Sequence, residues 1–272
     1  MGSNGEGARN GRGDAAVVMS GGGARSAYQV GVLRGLARHL PELRFPIIVG
    51  VSAGAINAAF FAAHSGGLRE AADELAALWA HLRVEDVFRL DTSSLARSLL
   101  GWLRWSSRLP SGPPSPGPEV RGLVDTEPLR VTLRKAAATV DGEIVGIGRN
   151  LERGTLKAAA LITLNYTTGQ TVTWVQGKDL WPWNQPERRT FHTRLTIEHI
   201  MASSSLPLIF PAIRLGHSYH GDGGVRLSAP IAPAIRLGAS RILAISPRYE
   251  PSFEEADRPQ IQGYPPPAQI LN

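Results

Sequence analysis

The chain has 272 residues, enough for one large α/β domain with a substantial core or for two small domains. Hydrophobic residues make up 43% and charged residues 19%, the balance of an ordinary globular protein. The absence of cysteine excludes disulfides, cysteine-ligated zinc and thiol nucleophiles. A formal net charge of +6 rests almost wholly on arginine, since Lys135, Lys157 and Lys178 are the only lysines. The arginines are scattered, beside heavy use of Ala, Gly and Pro, so they read as compositional bias and no nucleic-acid partner is expected.

Residues 1–14 are rich in Gly, Asn and Arg, lack the apolar stretch of a secretory signal, and read as a disordered tail ahead of a domain over 15–272. No run approaches the ~20 apolar residues of a spanning helix, and a cytoplasmic address is the default expectation. Residues 15–20 (AAVVMS) form an apolar strand, three glycines follow, and 26–40 place Tyr28, Val32, Leu36 and Leu40 at helical spacing before Pro41. A second strand over 45–49 completes a right-handed βαβ unit. The Ala-rich run 53–63 and residues 69–83 are helices, the latter with Leu75, Leu78, Trp79 and Leu82 on one face.

Residues 95–105 (LARSLLGWLRW) put Leu95, Leu99, Trp102 and Leu103 on one helical face near Arg97, Arg104 and Arg108. Such a basic amphipathic helix suits a bilayer interface, with Trp102 and Trp105 as membrane-contact residues and peripheral membrane association as the consequence. The alternative is a helix packed over the active-site side. Residues 106–120 hold five prolines and form a long surface loop. Thr126 is an N-cap, with Pro128 in the first turn of a helix to about 138. Residues 156–166 and 170–176 form a β-hairpin, 197–204 and 228–237 are helices, and 241–246 (RILAIS) is a buried strand. After Pro247 the chain is loop-like, and residues 268–271 resemble a helix start, so the fold is expected to continue past Asn272.

The most informative motif is Gly50-Val51-Ser52-Ala53-Gly54, a G-x-S-x-G between a strand and a helix. A serine on such a turn projects its hydroxyl into a cleft, and small residues two positions either side let the backbone turn tightly. Ser52 is therefore the candidate nucleophile. Gly21-Gly22-Gly23, at the end of the neighbouring strand, leaves backbone N–H groups free for an oxyanion. A dinucleotide loop is the rival reading. It lacks its third glycine, because Ser26 stands there, and no acid ends the second strand.

An α/β-hydrolase triad runs Ser, Asp or Glu, then His. Here His39, His64, His81, His192, His199, His217 and His220 all precede Asp222, and the later acids lie in the tail. Asp222, in Gly221-Asp222-Gly223-Gly224, is either a turn residue or a base acting directly on Ser52. His217 and His220 lie close enough in sequence to be weighed as catalytic, with a structural role as the alternative.

The G-G-G-x-R of residues 21–25, the G-x-S-x-G of 50–54 and the D-G-G of 222–224, in that order, resemble the patatin-like phospholipases. Leu123-Val124-Asp125-Thr126, Tyr166-Thr167-Thr168-Gly169 and residues 202–211 (ASSSLPLIFP) extend the resemblance over about 15–246. It implies a three-layer α/β/α fold with a mainly parallel central sheet, and a serine lipid acyl hydrolase, a phospholipase A or carboxylesterase, without metal or organic cofactor. By the same resemblance Ser52 is the nucleophile, Asp222 the general base, and Gly21, Gly22 and Gly23 the oxyanion loop, whose motif Arg25 closes. Ser26 departs from the family pattern, which has glycine there. Acyl transfer to an alcohol or lysolipid and non-catalytic lipid binding are the alternative readings, and no D-x-[DN]-x-[DN]-G calcium loop is visible.

Overall fold

The computed structural model describes residues 14–90, 122–178, 183–227, 230–249 and 252–257. The expected helix over 95–105, with Trp102 and Trp105, and the proline-rich loop over 106–120 lie outside these residues.

Eight strands form one mixed sheet: β1 (Ala15–Met19), β2 (Ile47–Val51), β3 (Ala158–Asn165), β4 (Thr171–Gly177), β5 (Arg188–His192), β6 (Ile213–Leu215), β7 (Ser218–Asp222) and β8 (Arg241–Ile245). β8, β1, β2 and β3 lie side by side and parallel, and β4 joins β3 as an antiparallel hairpin with β5 parallel outside it. All of β2 and β3, and all but the first residue of β1, are buried, as strands covered on both faces must be.

β2 begins two residues later than the expected strand over 45–49. Pro46 has no N–H to donate, but its carbonyl accepts from Lys157 and Ala158 N–H, so the ladder with β3 starts at Ile47 opposite Ala158. It then runs to Val51, beside the serine.

Most helices cover one face: α1 (Ala27–His39), α2 (Ala53–Ala63), α3 (Leu68–His81), α4 (Glu127–Ala136), α5 (Val145–Glu152) and α6 (Ile197–Ser203). Val17, Met19, Ile48, Ala159 and Leu161 point into that layer. Ala16, Val18, Ile47, Val49, Val51 and Ile162 point the other way, onto Ala234 of α7 (Ile231–Arg236), Leu237, Trp183 and Leu227. The α/β architecture with a mainly parallel sheet flanked by helices is thus as expected, with the second helical layer much thinner than the first.

α1 buries a stripe shifted from the one its hydrophobic spacing suggested. Val32 and Leu36 pack half-buried against the core as expected, but Gln29, Val30, Leu33 and Ala37 are the buried residues, whereas Tyr28 and Leu40 are exposed. Rotation of the helix carries a buried glutamine inward, because the Gln29 amide donates to the carbonyls of Ser20 and Ile245 at 2.7 and 3.2 Å. Those carbonyls end two central strands and need donors. At α4 the Thr126 side chain makes no capping bond; Asp125 Oδ1 accepts from the Glu127 N–H instead. Leu78 of α3 is exposed beside Trp79 and Leu82 in an apolar groove between α2, α3 and α4.

Candidate active site

β3 is the rail on which the site is assembled. β2 runs up one edge of it and stops with Val51 opposite Ile162. β7 runs down the same edge, antiparallel, and stops with Asp222 opposite Thr163. The two strands therefore end nose to nose at adjacent positions of β3, bringing residues 52 and 222 together. Ser52 Oγ donates to Asp222 Oδ2 at 2.5 Å.

Ser52 has φ 56 and ψ −135, a conformation that costs a non-glycine residue of order 1–3 kcal/mol and persists only where the surroundings enforce it. Small neighbours permit the turn. A Cβ on Gly50 would lie 2.5 Å from both Ala58 Cβ and the Gly54 carbonyl, and one on Gly54 would lie 2.3 Å from the Met19 carbonyl. α6 supplies the clamp. Ser203 Oγ accepts from the Ser52 N–H at 3.0 Å and donates to the Ile162 carbonyl at 2.6 Å, while Ser204 Oγ donates to the Ser52 carbonyl at 3.2 Å. Sequence reasoning did not assign this role to Ser203 and Ser204, although the ASSS run was visible; nothing local shows that it reaches back to Ser52, 151 and 152 positions earlier.

Asp222 is buried, its N–H donates to the Ser205 carbonyl, and its Oδ1 accepts from the Gly224 N–H at 2.7 Å. Burial raises its pKa above the ordinary carboxylate value, opposed by the hydrogen bonds from Ser52 and Gly224. The glycines around it make room rather than turns alone. Tyr166 lays its phenol where a Gly221 Cβ would be, and the Ile162 carbonyl lies 2.6 Å from the Cβ position of Gly223.

Gly21 lies directly against the serine, the position of its absent Cβ being 3.3 Å from Ser52 Oγ. Gly23 is at φ 55 with open space around it. Among the described residues the N–H groups of Gly22 and Gly23 donate to no protein acceptor. Ser26 is fully buried at φ −66 and ψ −12, ordinary helical values, so the departure from glycine imposes no backbone strain; its hydroxyl has no partner. Its carbonyl accepts from Asn57 Nδ2, which also donates to Gln29 Oε1, and Asn57 Oδ1 accepts from Trp79 Nε1. This buried relay ties the glycine loop to α2, the helix that follows Ser52. Arg25 is exposed at the loop's edge.

Neither nearby histidine reaches the dyad. His220 is buried, its Nδ1 lies 3.0 Å from Thr163 Oγ1, and its ring meets Trp174 edge-on. His199 also packs edge-on against Trp174 and bonds Thr196. Burial lowers both to about 4, so both rings are neutral at pH 7. His217 is exposed in the turn between β6 and β7. Among the described residues no group of three His, Asp or Glu side chains could hold a metal, and no helix is long and apolar enough to cross a membrane.

An α/β sheet thus aims a serine, on a strained strand-to-helix turn, at a buried aspartate, a side chain of nucleophile type against one of base type. The family comparison gives that layout its lineage: the model of the patatin-like phospholipases matches residues 17–235, and the chain belongs to that family. No curated protein matches it. Among solved structures it is similar to VipD from Legionella pneumophila (17% identity, TM-score 0.45, covering 79% of this chain and 46% of that one). It is also similar to the type III effector ExoU (18%, TM-score 0.33, 71% and 40%). A third likeness is to the ExoU–SpcU complex of Pseudomonas aeruginosa (17%, TM-score 0.32, 76% and 39%). The chain spans less than half the length of these proteins.

Proposed function

We propose that this chain is a serine lipid acyl hydrolase, a phospholipase A or carboxylesterase working through Ser52 and Asp222. The observation that carries the reading is the 2.5 Å hydrogen bond from Ser52 Oγ to a buried carboxylate, with no histidine bonded to either. Asp222 takes the hydroxyl proton as Ser52 Oγ attacks the ester carbonyl. The oxyanion is received by free N–H groups of the Gly21–Gly23 loop and of Ala53 at the start of α2, whose positive dipole end points the same way. Collapse expels the alcohol or lysolipid, which leaves with the proton from Asp222. Asp222 then deprotonates a water that cleaves the acyl-enzyme, and the serine is restored.

A base must be unprotonated, and the raised pKa of Asp222 brings its basicity closer to neutral pH. The rate should therefore rise with pH through a midpoint above the ordinary aspartate value. Mass spectrometry of products from phospholipid vesicles and short-chain esters, for wild type and Ser52→Ala, tests the reading. Ser52-dependent fatty acid and lysolipid are expected. Turnover that survives Ser52→Ala would overturn it, and preferential acyl transfer to added lysolipid would reassign the reaction to a transacylase.

A further inference from the structure

The ladder between β2 and β3 breaks at a definable rung. In a parallel pair each strand bonds its neighbour through alternate residues. The Ala158 N–H donates to the Pro46 carbonyl, so Pro46, Ile48 and Gly50 are the residues through which β2 bonds β3. Ser52 is next in that series, and Val51 before it is still paired with Ile162. A direct bond from the Ser52 N–H to the Ile162 carbonyl would be the following rung. It would keep residue 52 extended, in line with the strand, instead of at φ 56.

The side chain of Ser203 occupies that rung. Its Oγ lies 3.0 Å from the Ser52 nitrogen and 2.6 Å from the Ile162 oxygen. A backbone N–H only donates and a carbonyl only accepts, so the single hydroxyl proton goes to Ile162 and the oxygen takes the Ser52 N–H. The ladder therefore continues through one inserted oxygen atom, which holds the Ser52 backbone off β3. Ser203 is fully buried, and both bonds are shielded from bulk water. The two residues that follow hold the rest of the pair. Ser204 Oγ donates to the Ser52 carbonyl at 3.2 Å, and the Ser205 carbonyl accepts from the Asp222 N–H at 2.8 Å. The turn at the end of α6 thus grips the backbone of both residues whose side chains meet at 2.5 Å.

We propose that Ser203 is the positioning residue of this site: its hydroxyl, inserted between the Ser52 N–H and the Ile162 carbonyl, turns the chain out of β2 and so sets the Ser52 hydroxyl on Asp222. The inference rests on the Ser52–Asp222 reading of the reaction. It also bears on the oxyanion, because the Ser52 N–H is engaged by Ser203 and the donors are left to the glycine loop and Ala53.

Ser203→Ala removes the bridge and frees the Ser52 N–H and the Ile162 carbonyl to close the missing rung directly. In its crystal structure Ser52 is expected to leave positive φ, with its Oγ beyond hydrogen-bonding distance of Asp222. Turnover of a water-soluble short-chain ester should fall ~100-fold or more through kcat, with KM within about threefold, because alignment rather than substrate binding is lost. Ser203→Thr keeps the hydroxyl and adds a methyl group in a closed space. It should melt at a lower temperature than wild type yet keep turnover within about tenfold, a dissociation that a merely structural residue would not give. Wild-type kcat or an unmoved Ser52 in Ser203→Ala would overturn the proposal, as would a folded Ser203→Thr that is as slow as Ser203→Ala. A displaced Ser52 in Ser203→Ala, beside a wild type without Ser52-dependent turnover, would refute the hydrolase reading and leave the positioning role standing.

Discussion

Ser52 and Gly23 sit at the carboxyl ends of neighbouring strands with nearly the same φ, 56 and 55, and their surroundings are opposites. The serine is buried and gripped through its N–H, carbonyl and hydroxyl by Ser203, Ser204 and Asp222. The glycine is exposed, with nothing within 4 Å of its Cβ position. A residue that must carry a side chain at positive φ needs enclosure to hold it there. A loop that must offer N–H groups to an incoming oxygen needs them unused, and glycine provides that geometry without strain. The site thus combines an over-determined serine with an open glycine loop, joined behind by the Asn57–Gln29 relay.

That contrast is broken most severely on the gripped side. In Gly54→Ala the new methyl would meet the Met19 and Ser20 carbonyls at 2.3 and 2.5 Å, backbone atoms of a central strand end that cannot swing aside. The expected cost is about 3 kcal/mol or more by overpacking. Displacement of the turn should also lower ester turnover by ~100-fold or more. Thermal melts and initial rates check both, and a stable, active variant would show the elbow to be looser than its contacts imply.

On the open side the effect should be small. Ser26→Gly removes a buried hydroxyl without a partner, a gain of roughly 1–3 kcal/mol, and adds backbone freedom costing roughly 0.5–1 kcal/mol. Stability should stay level or rise slightly, and turnover should stay within about threefold on the catalytic scale. A large fall in rate at unchanged stability would make the Ser26 hydroxyl part of the reacting site.

The strands and the turn at Ser52 were legible because each leaves a local mark, a continuous apolar run or small residues at fixed offsets, whereas an aspartate among glycines reads equally as a turn residue and only the resemblance pointed to Asp222. Gly50 and Gly54 stand where the sequence required them, and for the close-packing reason anticipated. The shift of the α1 stripe toward Gln29 was not legible, because Gln29 is drawn inward by carbonyls at residues 20 and 245, a partnership with no local signature. The clamp from Ser203 and Ser204 was hidden likewise. Gly221 looked like a turn glycine, yet it is needed for the ring of Tyr166, which approaches from another strand. What depends on neighbours in sequence could be read; what depends on side-chain partners far along the chain could not.

The central claim is that Asp222 activates Ser52 directly. Its most direct test is the labelling rate of a fluorophosphonate probe, followed by peptide mass spectrometry, in wild type, Ser52→Ala and Asp222→Asn. The account expects the adduct on Ser52, none in Ser52→Ala, and a rate reduced ~100-fold or more in a folded Asp222→Asn, the scale of a lost general base. Labelling of Asp222→Asn at the wild-type rate would contradict it, since the serine would then owe its reactivity to some other group.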